Sequence, residues 1–288
     1  MLTPSVVLFI LFCLYPIIHL IIFSFTNYDG VHAPKFVGFN NYHEVLTQRT
    51  FWQSVINTFK FGVIVPALQI PLSLILAVML NGNIKGRNAM RAVIFLPNIT
   101  SAAVMGIIFF FMFSANNGMV NEILKMLGLI QKNIDWFANG TYATGVIVLF
   151  RLWYGIGFYM ILFLAALQKI PYEVYESAAI DGSNAVSTFF KITIPLLGTM
   201  FQMISALSIL DALKLFDSIK SLTNGAPAGK TEVLTMYIYR YFFEGGGGGA
   251  SLGREGYASA ASVVCTIIIA AFSMLYLVAS RRGGPNEK

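Results

Sequence analysis

The sequence predicts an all-α polytopic membrane protein, and its composition leads to this fold class. Of the 288 residues, 57% are hydrophobic and only 11% are charged, and the mean hydropathy is +0.71. A soluble globular domain carries about 25% charged residues, so a disordered protein, a coiled coil and a soluble enzyme of ordinary composition are excluded. The net charge of +6 accompanies many aromatic residues and few charges. It therefore indicates basic membrane loops rather than a nucleic-acid partner.

Six stretches are long and apolar enough to cross a bilayer, which needs about 20 mostly apolar residues in a helix. In chain order, the runs without Asp, Glu, Lys or Arg are 2–28, 61–84, 92–121, 192–210 and 257–280, with a further window, 136–168, broken only by Arg151. These runs predict helices over about 3–25, 55–80, 89–113, 141–168, 196–216 and 257–280. Residues 1–288 would thus form a single transmembrane domain.

The first apolar run resembles a secretory signal peptide only in its position. No basic residue precedes it, no small-residue cleavage site follows it, and its apolar core is too long. We therefore predict that it is a retained span.

The distribution of basic residues predicts the orientation. With six spans both termini lie on one side of the membrane. If that side is the cytoplasm, the inner segments 81–91, 169–195 and 281–288 hold eight Lys and Arg in 46 positions. The outer segments 26–54, 114–140 and 217–256 hold eight in 96 positions. Because Lys and Arg favour cytoplasmic loops, we predict cytoplasmic N- and C-termini.

The segment 169–195, between the fourth and fifth spans, is more than a connector. Pro171 suits the first turn of a helix, and two glutamates follow it near the positive end of the helix dipole. Gly182 favours a left-handed stop, and Ser183 can cap a second short helix that ends before Pro195 opens the fifth span. This helix–Gly–helix hairpin is too short and too polar to cross the membrane. From the residues alone, it can still be an amphipathic connector on the lipid surface.

The same segment carries a pattern found in a known family. Glu176, Ser177 and Ala178 are followed by Gly182 and, after nine intervening residues, by Ile192, Thr193, Ile194 and Pro195. This resembles the E-A-A-x3-G-x9-I-x-L-P loop of permease subunits of binding-protein-dependent ABC importers, with Ser177 in place of the first alanine. Y-P-I-I-H-L-I-I-F-S-F-T-N-Y from Tyr15 and F-V-G-F-N-N-Y from Phe36 resemble the first span and outer loop of carbohydrate permeases. L-T-N-G-A-P from Leu222 and Y-R-Y-F-F-E-G-G-G-G from Tyr239 resemble the last outer loop of the maltose-type branch.

The resemblance implies a non-catalytic subunit of a bacterial-type inner membrane. Such permeases pair with a second homologous permease above two ATP-binding cassette ATPases and receive solute from an extracytoplasmic binding protein. ATP and Mg²⁺ are held by the ATPases, so no cofactor is expected on this chain. The hairpin would dock on one ATPase as a coupling helix, and closure of the ATPase dimer would rock the spans between inward- and outward-facing states.

The resemblance also implies which residues couple ATP hydrolysis to transport. Ala178 and Ala179 would permit close approach of the ATPase, and Glu176 would accept its hydrogen bonds or cap the hairpin. The full set is Glu176, Ser177, Ala178, Ala179, Asp181, Gly182, Ile192 and Pro195.

Two charges inside the predicted spans need a separate explanation, because a charge in hydrocarbon costs at least about 2.5–3.5 kcal/mol on insertion scales. Arg151 lies 17 residues before Gln168, and Asp211 lies 16 residues after Pro195. At 1.5 Å per residue both lie about 25 Å from the inner boundary. Equal depth predicts an Arg–Asp pair that faces the bundle interior. The pair can either clamp the two spans together or form a polar wall for a hydroxyl-rich solute, and Lys214 can join either arrangement.

In maltose-type permeases, spans that match the fourth and fifth here hold the sugar. The positions that the resemblance carries over are Arg151, Tyr154, Gly155, Phe158, Ser208, Asp211 and Ala212. Arg151 and Asp211 place charges where the maltose case has neutral side chains, which leaves the identity of the sugar open. Aromatic faces with a few hydrogen-bonding groups would still suit a carbohydrate.

We therefore predict the permease subunit of an ABC importer for a carbohydrate, an oligosaccharide being favoured. One alternative is an importer of a glycerol-phosphate-like anion, for which Arg151 would be the counter-charge. Another is a stand-alone secondary transporter that uses Arg151 and Asp211 as an ion or proton relay, although it would have no use for the hairpin and the sequence shows no internal repeat.

Overall fold

We describe the chain from a computed structural model, which covers residues 2–82, 84–247 and 253–282. In chain order the helices of this part are α1 (Thr3–Phe23), α2 (Asn40–Thr47), α3 (Arg49–Asn81), α4 (Arg87–Ile99), α5 (Ala102–Met112), α6 (Met119–Met126), α7 (Gly140–Leu167), α8 (Tyr172–Ile180), α9 (Ala185–Leu213), α10 (Asp217–Leu222), α11 (Leu234–Phe243) and α12 (Glu255–Arg282). The predicted inner tail beyond residue 282 and residues 248–252 of the last outer loop lie outside the described residues.

The membrane-spanning helices agree with the all-α polytopic prediction. Five are long and apolar enough to cross a bilayer, namely α1, α3, α7, α9 and α12. The bent pair of α4 and α5 gives a sixth crossing if it counts as one span. Shorter helices occupy the connections between spans, so the outer segment 217–256, predicted as a loop, contains α10 and α11.

The third span is not the continuous helix predicted over 89–113. Its two halves, α4 and α5, meet at an angle of 95°. Pro97 lies one turn before the break, and Thr100 and Ser101 have extended backbone with ψ of 155° and 128°. Proline removes one helical hydrogen bond and crowds the preceding turn, which explains why an apolar run of sufficient length still bends here.

The fifth span also differs from the prediction that the hairpin's second helix ends before Pro195. A wide turn at Phe189–Thr193 carries Ala185–Thr188 directly into Ile194–Leu213, so α9 begins within the hairpin. A π-type turn accommodates a residue that cannot donate a regular backbone hydrogen bond. The direction changes instead at Gly198, where φ is 36° and ψ is −112°.

The core lies where α7 packs along α3, with α4 and α9 on its flanks. One cluster of buried side chains joins Phe61 of α3 to Phe150 of α7, and another joins Leu74 to Phe163 further along the same two helices. By contrast, the most apolar stretch of α1 buries no residue within the chain. The α3–α7–α9 core therefore fixes the positions of the intramembrane polar residues, which lie between the two clusters.

Candidate functional site

The intramembrane ion pair predicted from equal depth is present. Nη2 of Arg151 on α7 donates a hydrogen bond to Oδ2 of Asp211 on α9. The Arg151 side chain is 8% exposed, whereas the Asp211 side chain is 50% exposed. Arg151 is thus packed inside the helix bundle, whereas half of the Asp211 side chain faces an open space.

That space is a cavity of about 290 Å³ between α4, α7 and α9. It contains five of the seven residues that the resemblance assigned to the solute path. All eight lining residues are Asn98, Arg151, Tyr154, Gly155, Phe158, Tyr159, Leu207 and Asp211. The cavity therefore combines aromatic faces with an amide, a guanidinium and a carboxylate.

Ser208 and Ala212, the other two assigned residues, do not line the cavity. Ser208 is fully buried and donates a hydrogen bond from Oγ to Oε1 of Gln69 at 3.3 Å, and Ala212 lies in the core with Phe61. Each residue of an α-helix is turned by about 100° from the last, so positions 208 and 212 share a face that differs from the face of Leu207 and Asp211. The structure does not place these two residues at the cavity, and their part in the solute path stays a prediction.

Three lining residues were missed. Asn98 is the one amide side chain in the predicted span 89–113. Polar groups inside spans are costly, so its position could have indicated a functional site. Tyr159 lies one helical turn after Gly155, so it could have been predicted on the same face of α7. Its hydroxyl lies close to Ser208 and Asp211. Leu207 carries no signal, since a leucine in a membrane span is ordinary.

Behind the cavity wall, Gln69 of α3 is buried completely. Its Nε2 lies 3.5 Å from the backbone oxygen of Arg151, and its Oε1 accepts from Ser208. A Cβ atom at Gly155 would lie 2.2 Å from the same Nε2. Gly155 thus provides the space in which a polar side chain ties α3 to both helices of the ion pair.

The broken third span also contacts the cavity wall. The hydroxyl of Tyr154 donates to the backbone oxygen of Thr100 at 2.9 Å, and the Tyr154 ring stacks on Phe150 at 5.6 Å between centroids. Where a helix stops, its last carbonyl groups lack helical partners. Tyr154 supplies a donor to one of them, so its hydroxyl hydrogen is engaged within the chain.

The guanidinium of Arg151 retains unused donor capacity. Its Nε is buried and has no hydrogen-bond partner in the part of the chain that the structure describes. A buried, unpaired N–H costs free energy. The group that the site exposes to a ligand is the half-exposed carboxylate of Asp211, a hydrogen-bond acceptor.

The hairpin forms a second candidate site. In α8, Glu176, Ser177 and Ala179 are exposed, and so are Asp181 and Gly182 beyond its end. Gly182 has φ of 76°, and the N–H groups of Gly182 and Ser183 donate back to Ala179 and Ala178 at 3.1 and 2.9 Å. This is the left-handed stop that the sequence predicted.

Two details of the hairpin differ from the expectations. Ala178 is buried within the chain, so of the two alanines only Ala179 is accessible to an outside partner. Asn184, not Ser183, caps the second helix, accepting from the Ser187 N–H at 2.8 Å. Among the described residues no partner bonds the Glu176 side chain, so of its two expected roles the bond to an ATPase stays a prediction.

Ile192 and Pro195 lie at the other end of the hairpin. Ile192 is half-buried within the wide turn, and Pro195 is exposed three residues before the kink at Gly198. Tyr175 of α8 contacts Thr193 of this turn, with the two hydroxyl oxygens 3.5 Å apart. This contact joins α8 to the first part of the helix that carries Asp211.

Comparisons with known proteins agree with these features. Residues 69–283 match the family described as binding-protein-dependent transport system inner membrane component. The trehalose/maltose transport system permease protein MalF of Thermococcus litoralis is 31% identical, over 98% of this chain and 92% of that protein. The lactose transport system permease protein LacF of Rhizobium radiobacter is 34% identical, over 96% and 92%. The arabinooligosaccharides transport system permease protein AraP of Bacillus subtilis is 33% identical, over 95% and 85%.

A solved structure has the same fold. A chain of a bacterial ABC transporter involved in the import of the acidic polysaccharide alginate superposes with a TM-score of 0.84, covering 98% of this chain and 94% of that chain. The sequence identity is 24%, so this likeness concerns the fold alone.

Proposed function

The chain belongs to the family of binding-protein-dependent transport system inner membrane components, and we propose that it forms part of the path of a carbohydrate through the membrane. It is a non-catalytic permease subunit of an ABC importer. The proposed solute is an oligosaccharide, which the names of the trehalose/maltose, lactose and arabinooligosaccharide relatives support.

The observation that carries the proposal is the cavity at the Arg151–Asp211 pair. Tyr154, Phe158 and Tyr159 supply ring faces, on which the apolar face of a sugar can stack. Asn98 and the ion pair supply hydrogen-bond donors and acceptors for its hydroxyl groups. Apolar surface with a few well-placed polar groups is the usual composition of a small-molecule site.

The charge balance of the cavity favours a neutral solute over a glycerol-phosphate-like anion. Arg151 is already bonded to Asp211, so the pair has no net charge. An anion would have to displace a carboxylate that packs against the same guanidinium. A hydroxyl group can instead donate to the half-exposed carboxylate of Asp211 without displacing it from Arg151.

For energy coupling, we propose that the exposed surface of the hairpin docks on an ATPase. Glu176, Ala179, Asp181 and Gly182 are accessible there, and no other described part of the chain uses them. The proposed assembly contains a second homologous permease, two ATPases that hold ATP and Mg²⁺, and an extracytoplasmic solute-binding protein. The hairpin and both termini would then face the cytoplasm.

The test is transport by the complete complex in proteoliposomes. We expect binding protein loaded with a neutral oligosaccharide to stimulate ATP hydrolysis and uptake of the labelled sugar. Phe158→Ala should weaken the apparent solute affinity about tenfold, because it removes a ring face of the cavity. Phe111→Ala removes an exposed ring of α5 outside the cavity and should have no effect. Uptake of glycerol phosphate without uptake of any sugar would refute the carbohydrate proposal.

A further inference from the structure

The end of α3 and the start of α4 enclose an apolar groove of about 530 Å³ that plays no part in the solute path. Only apolar side chains line it, among them Leu76, Met79, Leu80, Ile84, Met90 and Val93. Val93 is 68% exposed and Met79 is 58% exposed, so the groove opens sideways from the bundle. In a membrane protein this opening faces the acyl chains or a neighbouring subunit.

A cluster of basic residues lies at one end of the groove. Lys85, Arg87 and Arg91 fall in the turn between α3 and α4 or in the first helical turns after it. The sequence contains no Asp or Glu between Glu44 and Glu122. Within the described residues, none of the three basic side chains pairs with a carboxylate.

A backbone contact holds one of these side chains at the groove. Arg91 donates from Nη2 to the oxygen of Leu80 at 2.6 Å, and Leu80 lines the groove. Arg87 donates from Nη1 to the oxygen of Gly82, in the connection between α3 and α4, at 3.3 Å. Arg91 is thus fixed beside the apolar surface, while Lys85 is exposed and Arg87 is half-buried, so both can contact an anion.

We propose that this groove binds an anionic phospholipid, with one acyl chain along α3 and α4 and the phosphate against Lys85, Arg87 and Arg91. The three basic residues favour an anionic lipid over a neutral one, since basic pockets beside membrane helices bind acidic headgroups. A second apolar groove is lined by residues such as Met105, Val120 and Trp153, and there the neighbouring Lys125 is paired with Glu122, whereas the basic residues beside the first groove have no carboxylate partner among the described residues. The lipid would hold the α3–α4 connection, whatever solute the importer carries.

The first test measures lipid binding to the purified complex by native mass spectrometry, in mixed micelles of phosphatidylglycerol and phosphatidylcholine. We expect preferential retention of phosphatidylglycerol. Lys85→Gln with Arg87→Gln should weaken that retention about 30-fold, since each basic residue contributes about 1 kcal/mol near an anionic headgroup. The matched control, Lys169→Gln with Lys191→Gln, removes two exposed charges elsewhere and should leave it unchanged. Equal retention of the two lipids, or equal loss in both double variants, would overturn the proposal.

The second test identifies what occupies the groove. A photoreactive amino acid at Val93, in vesicles of the same two lipids, should form adducts with phospholipid, and phosphatidylglycerol should be enriched in them. Adducts with another polypeptide would show a subunit interface instead and would overturn the proposal. Val93→Trp, which fills the groove, should abolish retention of phosphatidylglycerol while the complex still assembles.

Discussion

The hydroxyl of Tyr154 on α7 donates a hydrogen bond to the backbone oxygen of Thr100, at the point where the third span breaks. The residue that supplies an aromatic face to the cavity therefore also holds the bend of 95° between α4 and α5. Asn98, two residues before Thr100, lines the same cavity. A solute that shifts the Tyr154 ring would act directly on the broken span.

Replacing Tyr154 with phenylalanine isolates this hydrogen bond, because the ring and its stacking on Phe150 remain. We expect the variant to lose about 0.5–1.5 kcal/mol of stability, the usual net contribution of one hydrogen bond, because this bond is only partly buried. Thermal unfolding of the purified complex measures this loss. Tyr142→Phe is the control, since Tyr142 is half-exposed and far from the break. An unchanged melting temperature in Tyr154→Phe would show that the bend does not depend on this bond.

The close contact between α4 and α7 gives a second prediction. A Cβ atom at Gly157 would lie 2.3 Å from the backbone oxygen of Ile94, and no side-chain movement can relieve a clash with backbone. Gly157→Ala should therefore separate the two helices and reduce the yield of folded protein severely. Gly145→Ala is a matched control on the same helix, because a Cβ atom there meets nothing within 4 Å.

At Gly145, alanine should be neutral or should stabilise α7 by up to about 1 kcal/mol, the helix-propensity difference from glycine. Size-exclusion profiles and thermal unfolding compare the two variants. Similar behaviour of both would contradict the close packing of α4 on α7.

The hairpin gives a third prediction. Gly182 has φ of 76°, a conformation that a β-branched side chain strongly disfavours, so Gly182→Val should displace the start of α9. The complex should assemble, but solute-stimulated ATP hydrolysis should fall at least about tenfold, a loss of about 1.4 kcal/mol in coupling. Full stimulation and uptake in this variant would mean that the hairpin is not the coupling element.

Gly128→Val controls for backbone strain. Gly128 has φ of 70° and, like Gly182, has nothing within 4 Å of the position of a Cβ atom. It lies after α6 and outside the hairpin. We expect Gly128→Val to lose as much stability as Gly182→Val but to keep solute-stimulated ATP hydrolysis. A defect in coupling can then be separated from the effect of backbone strain.

The sequence was sufficient for the features that follow from length, apolar runs and helical depth. The five long spanning helices, the stop at Gly182 and the Arg151–Asp211 pair are examples. The sequence was insufficient where the direction of a side chain or the angle of a helix break depends on tertiary packing. Ser208 was predicted on the solute path, but its buried hydroxyl donates to Gln69 on a face of α9 next to the one that lines the cavity. The break after Pro97 could be suspected from the proline, but the angle of 95° and the hydrogen bond of Tyr154 to Thr100 are tertiary features.

The last prediction concerns the two interpretations of the ion pair. Arg151 is nearly buried and Asp211 is half-exposed, so the two single variants should differ. Asp211→Ala leaves a buried, unpaired guanidinium, which typically costs about 3–5 kcal/mol, and should lower the yield of assembled complex. Arg151→Ala leaves a carboxylate that water can reach, and it should cost less.

Removing both charges separates a clamp from a solute wall. Arg151→Gln with Asp211→Asn should restore assembly, because neutral amides can hydrogen-bond across α7 and α9. If the pair only clamps the helices, the double variant should import its solute at nearly the wild-type rate. Since both residues line the cavity, we expect instead that assembly recovers while the apparent solute affinity stays at least about tenfold weaker. Uptake at varied solute concentration measures this difference. Additive losses in the single and double variants would show that the two side chains do not interact, which would contradict the pairing itself.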